Sequence, residues 1–273
     1  VTLSPVLDAE QALLFESDVV PRYLSFFGSP AMELVLANGP ARVAHIGCRT
    51  GYPDGILVDK LPGATLVGVD CSEDALRHAR AKAELLGGAT VTYERTEGLP
   101  TPLAAESFTH TLSIHPVGSP EERALLFAEH RRLLVPGGQA ILALPLRGSF
   151  PEISDMLREY ALRSDVSDLG TAVDAAAQAR PTIETVAEEL ENAGFSDVDV
   201  DVQLIAISYA TGREFIDDPA TKLLVLPEVL AALRTSDAIL APSLRYLEEA
   251  ITKYWSDGVF ELTVNVGCIV ARK

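Results

Sequence analysis

The chain is short of the residues that mark several classes of protein. Its 273 residues include three cysteines, two methionines and one tryptophan, and aromatic residues make up only 6%. Cys48, Cys71 and Cys268 have no metal-ligand spacing and form no disulfide framework, so they read as the reduced thiols of a cytoplasmic protein. Apolar runs are too short, and too often interrupted by charge, to span a membrane. No signal peptide precedes the first helical pattern. Positive charge is scarce too: 22 Lys and Arg stand against 39 Asp and Glu, for a formal net charge of −17. No basic patch survives that imbalance, and such a surface repels a phosphate backbone, which makes nucleic acid a poor partner. There is no serine in a G-x-S-x-G elbow, so a nucleophilic triad has no starting point. His110 and His115 stand five apart, which sends them to opposite faces of a strand rather than to a shared metal.

What the chain does have is a hydrophobic content of 48% and enough length for one domain with a substantial core. The organising stretch is Val43-Ala44-His45-Ile46-Gly47-Cys48-Arg49-Thr50-Gly51, followed by Leu66-Val67-Gly68-Val69-Asp70. A short apolar run ends in glycines, a helix-length segment follows, and a second apolar run ends in an aspartate. This is the opening unit of an open α/β sheet, in which the first turn passes close to a ligand and the carboxylate can accept from a ribose hydroxyl pair.

Further strands are predicted at about 89–94, 108–114, 140–144 and 198–207, with a last one alternating through Phe260, Leu262, Val264 and Val266. Helices are predicted between them. The clearest begins at Ser119-Pro120-Glu121-Glu122, which combines an N-cap serine, proline at the first helical position and glutamate at the third. Residues 8–35 read as two helices broken near Gly28-Ser29-Pro30, and Pro136-Gly137-Gly138 as a turn. The alanine-rich stretch after 162 gives no clear placement. The expected architecture is a Rossmann-like, doubly wound, seven-stranded and mostly parallel sheet with helices on both faces. Along the single domain these are an N-terminal helical cover (1–38), an α/β core (40–209), a helical insertion or lid (210–257) and a final strand (258–273).

The order and spacing of these stretches resemble the class I S-adenosylmethionine-dependent methyltransferases, especially the small-molecule enzymes related to ubiquinone and menaquinone biosynthesis. His45 to Gly51 sits where that family carries its glycine-rich signature, Val69-Asp70 where it has a ribose-binding acid, and Leu133-Leu134-Val135-Pro136-Gly137-Gly138 where it has a Leu-x-Pro-Gly-Gly turn. The resemblance implies S-adenosylmethionine as cofactor, held by His45, Gly47, Arg49, Gly51 and Asp70, with Thr96 or Glu97 beside the adenine. It implies His115, after the fourth strand, as a base toward the acceptor. No metal is implied.

The departures fall around the cofactor. His45 replaces an acidic residue and brings no compensating charge. Arg49 replaces a glycine and brings a long cationic side chain next to a sulfonium. Each site residue also has a structural reading: Asp70 as a helix cap, Gly47 and Gly51 as a tight turn without a ligand, and His115 as a loop histidine beside Pro116. Tyr209, Tyr254 and Trp255 read as packing residues or as the lining of a substrate or partner surface, and Arg147 as a solvated cation or an anchor for an anionic substrate. Two functions follow. One is methyl transfer to a small or medium-sized, partly apolar acceptor. The other is a catalytically inactive pseudo-methyltransferase that binds a protein, or a second copy of itself, through 210–257. A nicotinamide-dependent oxidoreductase fits the Pro-Gly-Gly turn less well.

Overall fold

The computed structural model describes residues 5–37, 39–87, 89–116 and 118–273. Seven strands form one mixed, mostly parallel sheet in the order β3-β2-β1-β4-β5-β7-β6. They are β1 (Arg42–Ile46), β2 (Thr65–Asp70), β3 (Thr90–Arg95), β4 (Phe108–Ile114), β5 (Leu134–Pro145), β6 (Ser196–Tyr209) and β7 (Phe260–Arg272). The chain winds outward from β1 through β2 to β3, then returns to the other side of β1 with β4. The winding therefore reverses between β1 and β4, and in open α/β sheets that reversal opens a ligand crevice beyond the carboxyl ends of the strands.

The N-terminal segment comprises α1 (Ala9–Leu14), a π-helical stretch (Phe15–Leu24) and α2 (Ser25–Glu33). The break expected at Gly28-Ser29-Pro30 does not occur. Gly28 serves close packing instead, because a Cβ there would lie 2.4 Å from the Tyr52 ring. Between β1 and β2 runs α3 (Asp54–Lys60), and between β2 and β3 runs α4 (Glu73–Ala83). Ser72 caps α4, accepting from Ala75 N at 3.3 Å. Helix α4 ends at Ala83, ahead of the glycine pair Gly87-Gly88 that would stop it from sequence alone, and Gly88 lies outside the described residues. Helix α5 (Pro120–Leu133) opens with the expected capping box.

Pro136-Gly137-Gly138 is no plain turn but part of β5. Gly137, at φ 77, bulges while keeping its place in the sheet. Its N–H donates to Lys273 O at 2.8 Å, and Gly138 O accepts from Lys273 N at 3.1 Å. Beyond β5 lie α6 (Pro151–Arg163), α7 (Ser167–Ala179), which the alanine-rich stretch forms, and α8 (Ile183–Asn192). The residues between β6 and β7 are helical as expected: α9 (Gly212–Asp217), a π-helical stretch (Thr221–Val225), α10 (Leu226–Leu233) and α11 (Asp237–Tyr254).

The molecule divides into two compact units. One holds residues 1–144, 183–202 and 267–273; the other holds 145–182 and 203–266. The first contains the reversal between β1 and β4 and all the predicted cofactor residues. The second is built on an aromatic cluster in which Phe215 stacks on Phe260 at 4.3 Å, with Tyr209 at 5.3 Å from Phe215 and Trp255 at 5.2 Å from Phe260. Among the described residues no helix is long and apolar enough to cross a membrane, and no group of three His, Cys, Asp or Glu could hold a metal ion.

Candidate functional site

The loop after β1 is pinned to the end of β2. Gly47 N and Cys48 N both donate to Val69 O, at 2.9 and 3.2 Å, and Gly51 N donates to Cys48 O at 2.8 Å. Closing so tightly requires left-handed backbone at three positions: Gly47 (φ 73), Arg49 (φ 47) and Gly51 (φ 79). Glycine adopts that region freely, whereas an L side chain such as that of Arg49 does so at a cost of about 1–2 kcal/mol.

Asp70 closes β2 and is fully buried. Its Oδ2 accepts from Arg49 N at 3.1 Å and its Oδ1 from Ser72 N at 2.8 Å. The carboxylate thus fixes both the glycine loop and the entry to α4.

The Arg49 side chain runs from the β1 loop to the end of β4. Nη1 donates to Ile114 O and Nη2 to His115 O, each at 2.8 Å. The guanidinium therefore crosses the place where the winding reverses, 5.7 Å from the centre of the Phe15 ring. It is 3% exposed, and its Nε has no hydrogen-bond partner. Burial pulls its pKa down while the charge of Asp70 holds it up; a guanidinium stays charged through such a shift. The neighbouring Thr50 hydroxyl is likewise buried without a partner.

His115 follows β4 in a left-handed conformation, φ 52, held by donation of its N–H to Ala143 O at 2.7 Å. Its Nε2 lies 3.0 Å from the Tyr23 hydroxyl, and the Phe27 ring meets the imidazole edge-on at 4.8 Å. Tyr23, Phe27 and Phe15 all belong to the N-terminal helical segment, which is tied down nearby. Ser72 Oγ donates to Leu7 O at 2.7 Å, and Lys82 pairs with Glu16 at 2.8 Å. In the sequence Tyr23 and Phe27 read as apolar positions of helices that cover a sheet edge or part of a ligand pocket.

Beneath the loop lies a polar row that the sequence reading missed in part. His45 pairs in register with Gly68, and Gly68 with Tyr93. Because Gly68 has no side chain, the Tyr93 ring lies across β2; a Cβ there would sit 2.4 Å from its Cδ1. Tyr93 then donates its hydroxyl to Asp54 Oδ2 at 2.7 Å, while His45 Nδ1 lies 2.7 Å from Asp54 Oδ1. Burial would raise the Asp54 pKa, but His45 and the Tyr93 hydroxyl outweigh it and the net shift is downward. Burial and then Asp54 push the Tyr93 phenol upward. Burial, Asp70 and Asp54 raise the Cys48 thiol, which rules against a reactive thiolate beside the loop. The signal for this row was Gly68 itself, since a glycine inside a strand marks a close approach.

The remaining predicted residues are dispersed. Thr96 N donates to Asp70 O at 2.9 Å and its Oγ1 to Gly98 O at 3.0 Å, so it shapes the turn after β3. Glu97 is exposed and pairs with Arg95 at 3.2 Å. Arg147 belongs to the other unit, where it donates to Gln178 O at 2.6 Å and Arg180 O at 3.3 Å.

A glycine turn, a carboxylate closing the next strand and a polar side chain at the end of β4 stand together at the reversal of an α/β sheet, the place where such folds take their ligands. Comparison with known proteins makes the class specific. Residues 43–138 match the family model described as a methyltransferase domain. Trans-aconitate 2-methyltransferase of Rhodopseudomonas palustris (strain BisB5) is 40% identical over 77 residues, 27% of each chain. The Acidovorax sp. (strain JS42) protein of the same name is 31% identical over 147 residues, 52% of this chain and 54% of that one. Demethylmenaquinone methyltransferase of Thermus thermophilus is 28% identical, over 49% of this chain and 67% of that protein. The chain thus spans between about a quarter and a half of the trans-aconitate methyltransferases it matches. Among solved structures, a putative methyltransferase from Bacillus halodurans shares the fold at a TM-score of 0.56 and 16% identity, covering 90% of this chain and 97% of that one. Over residues 43–138 the chain is thus similar to methyltransferase domains, and the solved structures share its fold.

Proposed function

We propose that this protein transfers a methyl group from S-adenosylmethionine to a small or medium-sized, partly apolar acceptor. The observation that carries the reading is the tight loop of Gly47 to Gly51, pinned to the carboxyl end of β2 beside Asp70, a buried carboxylate whose oxygens accept from Arg49 N and Ser72 N where a ribose-binding acid is expected. The positive φ of Gly47 and Gly51, with the partnerless Thr50 hydroxyl, fits the close approach of a nucleoside. When bound, the cofactor supplies an electrophilic methyl group on sulfur. The chain then positions the acceptor in line and, for an alcohol or phenol, removes its proton. His115 Nε2 is the place for that proton, reached through the Tyr23 hydroxyl 3.0 Å away.

Two names among the relatives bracket the acceptor: trans-aconitate, a tricarboxylate, and demethylmenaquinone, an apolar ring system. A net charge of −17 disfavours the first class of acceptor and leaves the second. One observation favours the alternative, an inactive chain that binds a protein through 210–257: the Arg49 side chain already crosses the crevice. Calorimetric titration with S-adenosylmethionine and with S-adenosylhomocysteine separates the two readings. Micromolar binding lost in Asp70→Ala supports the transferase, and no binding up to millimolar ligand by the folded protein overturns it.

A further inference from the structure

The position of Arg49 has a consequence for which ligand the crevice prefers. A nucleoside anchored through its ribose on Asp70, at the end of β2, and reacting near His115, at the end of β4, must lay its 5′ substituent across the β1 loop. That is where the Arg49 guanidinium lies, bonded to Ile114 O and His115 O. We infer that Arg49 sets the charge selectivity of this crevice, favouring a neutral nucleoside thioether over the sulfonium that carries the methyl group; the inference rests on the transferase reading above.

The charge is fixed rather than adaptable. The side chain is 3% exposed, its backbone is left-handed, and both terminal nitrogens are committed to backbone carbonyls on the opposite strand. Phe15 covers it from the N-terminal segment. The nearest compensating charge is that of Asp70, whose oxygens already accept two backbone N–H groups. A second cation brought into this space meets the guanidinium at low dielectric, where like charges repel far more strongly than in water. A thioether of the same shape meets only the steric part of that cost. Nor is the cost avoided by swinging the side chain aside, since two hydrogen bonds to a charged group are then broken for either ligand while the charge stays close. The product of the reaction is therefore held in preference to the cofactor, and Arg49 brakes turnover through product release.

The test is a double comparison by calorimetry: S-adenosylmethionine and S-adenosylhomocysteine against wild type, Arg49→Met, Arg49→Gly and Arg49→Lys, each first shown to be folded by its circular dichroism and thermal transition. Met keeps the length without the charge, Gly removes both and suits the left-handed backbone, and Lys keeps the charge. The ratio of the two dissociation constants is expected to fall at least tenfold, or about 1.4 kcal/mol, in favour of the sulfonium in Met and Gly, and to stay near wild type in Lys. Wild-type binding of both ligands with the same ratio in every variant would overturn the selectivity while leaving the transferase reading intact. No binding of either ligand to any folded variant would overturn both.

Discussion

At the residue scale the site depends on a few atoms whose removal separates binding from chemistry. His115 touches Tyr23 through Nε2 and the loop through its carbonyl, so His115→Asn removes the proton acceptor while leaving the Arg49 contact to the main chain. Methyl transfer to a hydroxyl acceptor is expected to fall by about 10²–10⁴-fold, the usual contribution of a general base, with S-adenosylhomocysteine affinity changed little. On the proposed route Tyr23→Phe should lower transfer in the same direction and shift the pH profile, since the Tyr23 hydroxyl is the hydrogen-bond partner of His115 Nε2. An equal loss of ligand affinity in both variants would mark the pair as structural instead. Gly68 sets a second test. An added Cβ meets Tyr93 Cδ1 at 2.4 Å and Cys48 Sγ at 2.9 Å, in a packed interior with no room to give. Gly68→Ala is expected to cost about 1–3 kcal/mol in urea unfolding, the range for overpacking, and Tyr93→Phe in the same background should recover little, because the clash is with the ring rather than the hydroxyl.

At the scale of elements, the strands and their order were legible because their signals are local: apolar runs, glycine stops, and the capping box at Ser119 that starts α5. The tight loop at Gly47 and Gly51 and the aspartate that closes β2 were legible for the same reason. What escaped depends on pairing across the sheet. Asp54 and Tyr93 are 39 residues apart and meet only because register sets His45, Gly68 and Tyr93 in one row. Gly28 read as a breaker because sequence shows its freedom and not the Tyr52 ring it admits. The same holds between α5 and β4. There His130 lies 2.7 Å from Thr111 Oγ1 and 3.0 Å from Ser113 Oγ, while Ser113 in turn donates to Ile46 O at 2.8 Å. Burial drives the His130 pKa down from 6.5 to about 3, the charge of Glu129 opposing. The unfolded chain therefore takes up a proton below pH 6.5 that the native imidazole refuses until about pH 3, and native stability falls across that window as pH is lowered. The slope from this one group approaches about 1.4 kcal/mol per pH unit. Urea titrations from pH 7 to 4 should show it, and the slope should flatten in His130→Gln.

At the scale of the whole molecule, two electrostatic effects of opposite sign act on the same ligand. The net charge of −17 gives the molecule a negative field that draws in a cation, whereas on the inference above Arg49 disfavours one. They differ in how salt reaches them. The field arises from exposed carboxylates and is screened over a Debye length of about 10 Å at 0.1 M salt, while buried charges are screened much less. Raising salt from 50 to 500 mM is thus expected to weaken binding of S-adenosylmethionine, which carries a net positive charge, by several-fold. S-adenosylhomocysteine, which is net neutral, should change little. Arg49→Met should show the same salt dependence as wild type at a higher affinity for the cation, because the substitution removes only the charge that salt does not reach. A steeper loss of affinity with salt in Arg49→Met than in wild type would instead place the guanidinium in contact with solvent, against its burial. The same field opposes polyanions, so duplex DNA or transfer RNA should not be retained by the protein in a filter assay at 50 mM salt, where a basic surface would bind most tightly.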